Sequence, residues 1–229
     1  MQPGDWFDER AADAACEFFP RFLRHHKGEW AGRAFELQPW QRDEIIRPLF
    51  GTRRADGTRR YRVCDVWVPR KNGKTQLAAG VGLLMLIGDG EPGAEGYAIA
   101  SKEEQARIVF SAAQAMVAQS DVLSKHLEVW KNRIDCPSLN GFFKPLSGKP
   151  EGKHGLNPSF KIGDELHEWA DDRLDQYVRQ GSAARRQPLE FQTSTAGTRT
   201  GHGWDVYQYD RKVRDGIIDD PDRLVVIYE

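Results

Sequence analysis

Apolar and polar positions along the chain fall into segments typical of strands followed by segments typical of helices. An apolar, β-branched run at 66–68 leads into a polar loop containing glycine, and residues 77–87 are then almost wholly apolar. The same order returns at 96–100, a short apolar run before a helical segment at 101–119. Ser101 and Glu104 form a capping-box pattern at the start of that helix. We therefore predict an α/β fold with repeated strand-helix units.

Further elements follow from periodicity and from the position of proline and glycine. Pro20 predicts a break or kink in the first helix, and Pro39 suits the first turn of the second. Two strands at 127–134 and 140–146 are expected to pair antiparallel at a sheet edge, and the Gly-, Lys- and Pro-rich segment 147–158 is expected to be a mobile loop. The remaining predicted elements are helices in 8–24, 35–51, 171–186 and 203–214, and strands at 159–164, 189–196 and 224–228. Because the chain ends in a strand-like run, we expect the natural protein to continue.

Composition restricts the class of protein. The 229 residues are 39% hydrophobic and 29% charged with a formal net charge of −1, as in an ordinary globular domain without a basic nucleic-acid footprint. Three widely spaced cysteines form no CxxC pair, which predicts free thiols in a reducing compartment. No signal peptide is visible, and the longest apolar run is too short to span a bilayer, so we expect an intracellular protein without a membrane segment.

The loop after the 66–68 run carries the first motif with chemical content. Gly73, Lys74 and Thr75 precede the apolar helix, where backbone N–H groups and the helix dipole favour a polyphosphate. Lys74 is predicted to contact the β- and γ-phosphates, and Thr75 to bind Mg²⁺. Val68 stands where the P-loop pattern has its first glycine. The alternative is an ordinary strand-to-helix turn with a chance Gly-Lys-Thr.

A strand ending in adjacent acids is the second motif. Asp164 is predicted to hold Mg²⁺ through its water shell, and Glu165 to deprotonate or orient the attacking water. The alternatives are a solvated acidic turn and a two-metal nuclease site that includes Glu168. A zinc protease is excluded, because Asp171 stands where HExxH requires its second histidine.

Three other groups are candidates for parts of the same chemistry. Gln41 offers a donor and an acceptor to an adenine edge, or is a solvated glutamine beside the core residue Trp40. The hydroxyls of Thr193, Ser194 and Thr195 end a strand and are suited to sense a γ-phosphate, or only lead into a turn. Five arginines between positions 53 and 62 form either a hairpin around Asp56-Gly57 or a patch for a phosphate backbone.

Together these residues resemble the N-terminal ATPase domain of the large terminase subunit of tailed bacteriophages. The resemblance covers nearly the whole chain, and its Pro-Arg-Lys-Asn-Gly-Lys-Thr string is specific to that family and accounts for Val68. The segments that carry it are Leu37-Gln-Pro-Trp-Gln41, Val68-Pro-Arg-Lys-Asn-Gly-Lys-Thr75, Lys102-Glu-Glu-Gln-Ala-Arg107, Leu156-Asn-Pro158, Asp164-Glu-Leu-His-Glu168 and Thr193-Ser-Thr-Ala-Gly197.

The resemblance implies a P-loop NTPase fold of the ASCE type, with a mostly parallel central sheet flanked by helices and some antiparallel edge strands. It implies ATP and Mg²⁺ as cofactors and the host cytoplasm as location. The implied partners are double-stranded DNA, the portal protein, the small terminase subunit and further copies in a ring, usually of five. Residues 1–229 would form one motor domain, and the family's C-terminal nuclease domain has no counterpart in them.

Residue roles also follow from the resemblance. The expected catalytic residues are Glu165, Lys74 and Arg70, the metal-binding residues are Thr75 and Asp164, and 193–195 form the coupling motif. The family's trans-acting arginine before the acidic motif is absent, and Lys153 and His154 stand in that region. The expected ATP contacts are Trp40, Gln41, Pro69, Arg70, Lys71, Asn72, Gly73, Lys74 and Thr75.

Other functions stay open at the level of sequence. Another P-loop DNA translocase or a helicase-like ATPase would use the same motifs. A nucleotide-binding adaptor would bind ATP in the variant loop without cleaving it. A metal nuclease would use Asp164, Glu165 and Glu168.

Overall fold

A computed structural model describes residues 2–146, 155–169, 171–195 and 197–228, and its main feature is an eight-stranded sheet. Strands β1 (Trp6–Phe7) and β2 (Thr52–Arg53) form a separate two-stranded antiparallel sheet. The eight strands of the main sheet are β3 (Val63–Trp67), β4 (Glu95–Ile99), β5 (Glu128–Trp130), β6 (Arg133–Cys136), β7 (Gly141–Leu146), β8 (Phe160–Asp164), β9 (Leu189–Ser194) and β10 (Arg223–Ile227). The helices are α1 (Glu9–Phe22), α2 (Pro39–Gln41), α3 (Arg47–Gly51), α4 (Lys74–Ile87), α5 (Glu103–Ala118), α6 (Leu123–His126), α7 (Arg173–Gly181) and α8 (His202–Arg214). A π-helical turn, Arg42–Ile46, joins α2 to α3, and short 3₁₀ turns occupy Pro137–Leu139, Leu166–Glu168 and Ser182–Ala184.

The sheet has the order β10-β3-β9-β8-β4-β7-β6-β5. From β10 to β7 all neighbours are parallel, and β6 and β5 add an antiparallel edge. The predicted mostly parallel α/β architecture is therefore confirmed. Because β9 lies between β3 and β8, the carboxyl ends of these three strands meet at one edge of the sheet.

The strand register decides which side chains share a face at that edge. Thr193 in β9 is paired with Val66 on one side and with Asp164 on the other. Side chains two residues apart lie on one face of a strand, so Asp164 follows Ile162, and Thr193 follows Phe191. Ile162 and Phe191 belong to the main apolar core together with residues of α4. Asp164 and Thr193 are thus directed to the face that carries α4.

Helix α4 is apolar on all sides because it is enclosed by the sheet, α1 and α5. Residues 77–86 are all buried, and such all-round burial accounts for the absence of a polar stripe. Within the described ranges, no helix is both long enough and apolar enough to cross a membrane.

The opposite face of the sheet, under α7 and α8, contains buried charges. Lys161 of β8 is 1% exposed; its ammonium pairs with Asp175 of α7 and lies 2.8 Å from Glu190 Oε2 of β9. Arg223 of β10 pairs with Asp65 of β3, and its Nη1 lies 3.0 Å from Asp210 Oδ1 of α8. Buried ions must be paired to be tolerated, so these contacts fix how the two helices sit on the sheet.

Asp210 should make the stability of the protein depend on pH. Burial, followed by the nearby charge of Asp65, raises the pKa of Asp210 from 3.8 to about 8, while Arg223 opposes the shift. Between these values the folded protein holds a proton that the unfolded chain releases, so this carboxyl lowers stability as pH rises from 4 towards 8, by up to about 1.4 kcal/mol per pH unit. Urea unfolding at pH 5 and at pH 8 should show that the free energy of unfolding falls less between these pH values in Asp210→Asn than in wild type. Identical losses would show that Asp210 does not titrate in this window.

Two local predictions were wrong. The capping box at Ser101 does not form: α5 begins at Glu103, its N-cap is Lys102, and Ser101 Oγ contacts the Gln105 side chain at 3.2 Å instead of a backbone N–H. The predicted strand 127–134 is a hairpin of β5 and β6, with Trp130 paired to Arg133. The predicted antiparallel edge is present, but it contains three short strands instead of two.

Helix ends also differ from the predictions. Pro20 does not break α1, which continues to Phe22. The proline lies in the last turn, where its missing N–H removes one hydrogen bond, to the carbonyl of Cys16, and only two helical residues follow it. The helix expected to reach Arg186 ends as α7 at Gly181 and continues as a 3₁₀ turn.

The arginines between 53 and 62 are engaged within the fold. A bridge between Arg53 and Arg59 forms the hairpin, Arg59 is 1% exposed with its Nη1 2.7 Å from Asp89 Oδ1, and Arg60 lies 2.9 Å from Asp222. These contacts support the hairpin interpretation over a phosphate-backbone patch, although the pairing makes the segment less solvated than expected.

Candidate active site

The loop between β3 and α4 has the backbone of a phosphate cradle. Lys71 and Gly73 both have positive φ, 69° and 74°, and the Asn72 side chain donates to the Pro69 carbonyl at 3.1 Å. Left-handed residues in a short turn are a feature of the backbone nests that bind anions, so the loop is suited to a phosphate. Residues 69–73 are exposed.

The N-terminus of α4 follows this loop directly. Its N-cap, Gly73, has no side chain, and within the described residues no side-chain cap bonds the first turn. The backbone N–H groups of that turn therefore have no capping acceptor among the described residues, and the helix dipole places partial positive charge there. A phosphate group would satisfy both features.

Lys74 is the first residue of α4 and is only 6% exposed. Burial lowers the pKa of its ammonium, the charges of Glu165 and Asp164 oppose that shift, and Arg70 reinforces it. The next residue, Thr75, donates a hydrogen bond to Asp164 at the end of β8. The two motifs predicted separately from the sequence are brought together.

Asp164 is the centre of a hydrogen-bonded group. Thr75 Oγ1 donates to its Oδ2 at 3.0 Å, and Thr193 Oγ1 donates to its Oδ1 at 2.7 Å. The Glu165 backbone N–H also donates to Oδ1, at 3.0 Å. With 4% exposure, the carboxylate is oriented by partners from α4 and β9.

Thr75 and Asp164 fit a magnesium ion. Both present hard oxygen donors, as Mg²⁺ requires. Because Thr75 Oγ1 donates its hydrogen to Asp164 Oδ2, its lone pairs are available to an ion, and the carboxylate could accept hydrogen bonds from the water shell of that ion. When bound, the ion would neutralise phosphate charge between these two side chains.

Glu165 follows Asp164 in a left-handed conformation, with φ 50°. Its Oε2 lies 3.1 Å from His167 Nδ1. Burial, followed by the charge of Asp164, raises the pKa of Glu165, while Lys74 and His167 lower it. A raised pKa suits a carboxylate that accepts a proton near neutral pH.

The three hydroxyl residues at the end of β9 have different neighbours. Thr193 bonds Asp164, Ser194 Oγ accepts from the His167 backbone N–H at 3.0 Å, and Thr195 Oγ1 lies 3.5 Å from the His167 ring. All three are buried. The strand end therefore contacts the acidic motif directly, and its role as a sensor of γ-phosphate stays a prediction.

Gln41 lies beside the phosphate loop instead of in solvent. It is 3% exposed, its Oε1 accepts from the Gln38 backbone N–H at 3.0 Å, and its Nε2 would lie 3.8 Å from a Cβ at Gly73. Trp40 is half-buried, with its ring 5.7 Å from that of Tyr228. The solvated alternative for Gln41 is thus not observed, and the contacts of both residues with ATP stay predictions.

His167 and the link from Thr193 to Asp164 were not found from the sequence. In the sequence, His167 belongs to an incomplete HExxH pattern and to the acidic segment of the family resemblance, and Thr193 belongs to the predicted phosphate sensor and coupling motif. The signal for His167 was its place three residues after Asp164, but its partners on β9 depend on tertiary structure.

The nuclease alternative gains no support. Glu168 accepts a hydrogen bond from the Gln105 side chain, on the exposed side of the 3₁₀ turn. In the described part of the chain, no three His, Cys, Asp or Glu side chains form a group that could hold a metal ion. Lys153 and His154, the candidates for a trans-acting residue, lie outside the described residues.

The fold and the site define a class. A P-loop NTPase of the ASCE type has a phosphate loop after one strand, an acidic residue at the end of a second strand, and a third strand between these two. Here the loop follows β3, the acids lie at the end of β8, and β9 lies between β3 and β8.

Comparison with known proteins defines the family within that class. A sequence model described as "Terminase large subunit, ATPase domain" matches residues 39–212. The large terminase subunit of Enterobacteria phage HK97 is 30% identical over 185 residues, which are 78% of this chain and 35% of that protein. The chain therefore belongs to the family of terminase large subunit ATPase domains.

Solved structures agree with this assignment. The crystal structure of the HK97 bacteriophage large terminase matches with a TM-score of 0.78 and 26% identity, over 95% of this chain and 44% of that one. The ATPase domain of the Thermus phage P74-26 large terminase has the same fold, with a TM-score of 0.53 and 17% identity over 73% of this chain and 75% of that one. The chain spans about a third of the length of the HK97 relative.

Proposed function

We propose that this chain hydrolyses ATP with Mg²⁺ and that the hydrolysis drives double-stranded DNA into a viral procapsid. The single observation that carries the proposal is the contact between Thr75 and Asp164 at 3.0 Å. It joins the phosphate loop to the acidic strand at the point where a metal-bound triphosphate would lie. Family membership supports the packaging role.

Each residue of the site has a role in this proposal. The backbone N–H groups at the start of α4 and the Lys74 ammonium would bind the phosphates, Thr75 would bind Mg²⁺, and Asp164 would hold the ion through its water shell. Glu165 orients the attacking water and accepts its proton. Arg70, Lys71, Asn72 and Pro69 form the loop over the phosphates, and Trp40 and Gln41 contact the adenosine.

Positive charge near the γ-phosphate should supply most of the acceleration. Lys74 and Mg²⁺ provide part of it, and a basic residue from a neighbouring copy, with Lys153 or His154 as candidates, would provide the rest. A single copy should therefore hydrolyse ATP slowly.

The proposed partners are those of a packaging motor: double-stranded DNA, the portal protein, the small terminase subunit and a ring of, in our proposal, five copies. Assembly would take place on the procapsid in the host cytoplasm, and the proposal requires no membrane. Residues 1–229 would act as one ATPase unit.

Release of phosphate from ATP by the purified chain tests the proposal. We expect slow turnover that requires Mg²⁺, stops with EDTA and rises with protein concentration, because assembly brings the trans-acting residue into place. Binding of ATP without release at any concentration would indicate an adaptor. Duplex unwinding would indicate a helicase-like enzyme, and Mg²⁺-dependent nicking of a plasmid would indicate a nuclease.

A further inference from the structure

His167 lies between the acidic motif and the end of β9. Its ring Nδ1 is 3.1 Å from Glu165 Oε2, 3.2 Å from Ser194 Oγ and 3.5 Å from Thr195 Oγ1. The side chain is 13% exposed. A single ring nitrogen is therefore within reach of the proposed catalytic carboxylate and of two hydroxyls of the coupling motif.

The hydrogen bonds around Ser194 define which form of the ring is present. Ser194 Oγ donates its only hydrogen to the Thr195 carbonyl at 3.1 Å, so it can only accept from His167 Nδ1. We assign the ring hydrogen to Nδ1, because Ser194 Oγ at 3.2 Å and Glu165 Oε2 at 3.1 Å can then both act as acceptors. The Glu165 carboxylate is also an acceptor, so one N–H faces two acceptors and can serve one at a time.

In the observed conformation the Nδ1–H group of His167 is hydrogen-bonded to Ser194 Oγ. Glu165 Oε2 is buried and accepts no hydrogen bond from the described residues, although Nδ1 is at contact distance. A buried carboxylate oxygen without a donor is costly. A small rotation of the ring or of Glu165 would transfer the hydrogen bond from Ser194 to that oxygen.

We propose that His167 is a positioning residue whose Nδ1–H alternates between Ser194 Oγ and Glu165 Oε2, so that the orientation of Glu165 depends on the position of the β9 end. The inference rests on the proposed function and deepens it. It gives the coupling motif a direct contact with the group that activates water, in addition to any contact with phosphate.

The backbone on both sides of His167 leaves little freedom for other arrangements. A Cβ added at Gly197 would lie 2.4 Å from His167 Cβ, and one at Gly203 would lie 2.7 Å from His167 Cα. The loop after β9 and the start of α8 therefore pack directly against this turn. The ring can rotate, but the residue cannot move away from β9 without displacing α8.

Three substitutions at this position separate the Nδ1 contact from simple packing. His167→Asn keeps an N–H donor on the γ carbon, close to the place of Nδ1. His167→Gln moves the amide one bond further out, to the place of Nε2, and His167→Leu retains volume without a donor. Thermal unfolding of each variant reports whether the fold is intact.

Phosphate release and AMP-PNP affinity are then measured on each chain. We expect kcat to fall roughly 10- to 100-fold in the Leu and Gln variants, as for a misplaced catalytic group, with AMP-PNP affinity unchanged. His167→Asn should recover most of the wild-type kcat. Amide hydrogen exchange at 193–195 should change on AMP-PNP binding in wild type and in the Asn variant, and not in the Leu variant.

The outcomes distinguish the inference from the proposed function. Wild-type turnover in the Leu and Gln variants, or an Asn variant as impaired as the Leu variant with its fold intact, would refute the role of His167 and leave the ATPase proposal standing. A wild-type chain that neither binds AMP-PNP nor releases phosphate would refute both.

Discussion

Replacing Glu165 with glutamine should lower kcat for ATP hydrolysis by roughly 10²- to 10⁴-fold, the usual contribution of a general base. The amide has nearly the size of the carboxylate but cannot accept a proton from water. ATP affinity should change little, because the phosphate loop, Lys74 and the ligands Thr75 and Asp164 are intact. Single-turnover phosphate release and equilibrium binding of AMP-PNP measure the two quantities separately.

Glu168→Gln is the matched control for this experiment. Glu168 belongs to the same 3₁₀ turn, but it is exposed and contacts Gln105 instead of the phosphate loop. Its variant should hydrolyse ATP like wild type. Equal turnover of Glu165→Gln and wild type would remove Glu165 from the role of base.

Replacing Lys161 with methionine should reduce the free energy of unfolding by about 3 to 5 kcal/mol, the cost of removing one partner from a buried ionic group. The substitution leaves Asp175 and Glu190 buried, with Arg179 and His202 as the remaining basic groups beside them. For a chain of this size the midpoint of thermal unfolding should drop by roughly 6 to 20 °C. Urea and thermal unfolding followed by circular dichroism give both values.

Lys125→Met provides the comparison. Lys125 is an exposed residue of α6, and its replacement should change stability by less than about 0.5 kcal/mol, as for most surface substitutions. If Lys161→Met were as stable as Lys125→Met, the charges under α7 would contribute nothing to the fold. A loss of stability in both variants would point to a general effect of added methionine.

The central part of the fold and site could be predicted from local sequence. The apolar run before Gly73-Lys74-Thr75 and the strand ending in Asp164-Glu165 each have a specific pattern, and both elements form where expected. Their meeting at one sheet edge followed from the parallel arrangement that strand-helix repeats favour. The pattern did not predict that β9 lies between β3 and β8, because strand order depends on pairing between residues far apart in the sequence.

The polar face of the sheet was missed for a related reason. Lys161 and Asp65 interrupt short apolar strands as single charged residues, and no spacing rule identifies their partners Asp175, Arg223 and Asp210. Only the packing of α7 and α8 on the sheet brings those charges together. The network of charges therefore follows from the packing of the strands and helices, and it cannot be recognised from the amino-acid composition.

Local signals also failed where tertiary packing decided the outcome. Ser101 and Glu104 have the spacing of a capping box, but α5 begins two residues later and Ser101 contacts a side chain instead. The segment 127–134 has the β propensity of one strand, yet it folds back after Trp130.

The absence of a side chain at Gly203 has a mechanical consequence for the proposed motor. A Cβ there would lie 2.3 Å from the Leu166 carbonyl oxygen, so the first turn of α8 packs directly against the 3₁₀ turn Leu166–Glu168. Seven residues further along the same helix, Asp210 is tied to β10, with its Oδ1 3.0 Å from Arg223 Nη1. A rearrangement beside the nucleotide that moved the base of α8 would therefore be passed on to Arg223 and to β10, the strand at the far edge of the sheet.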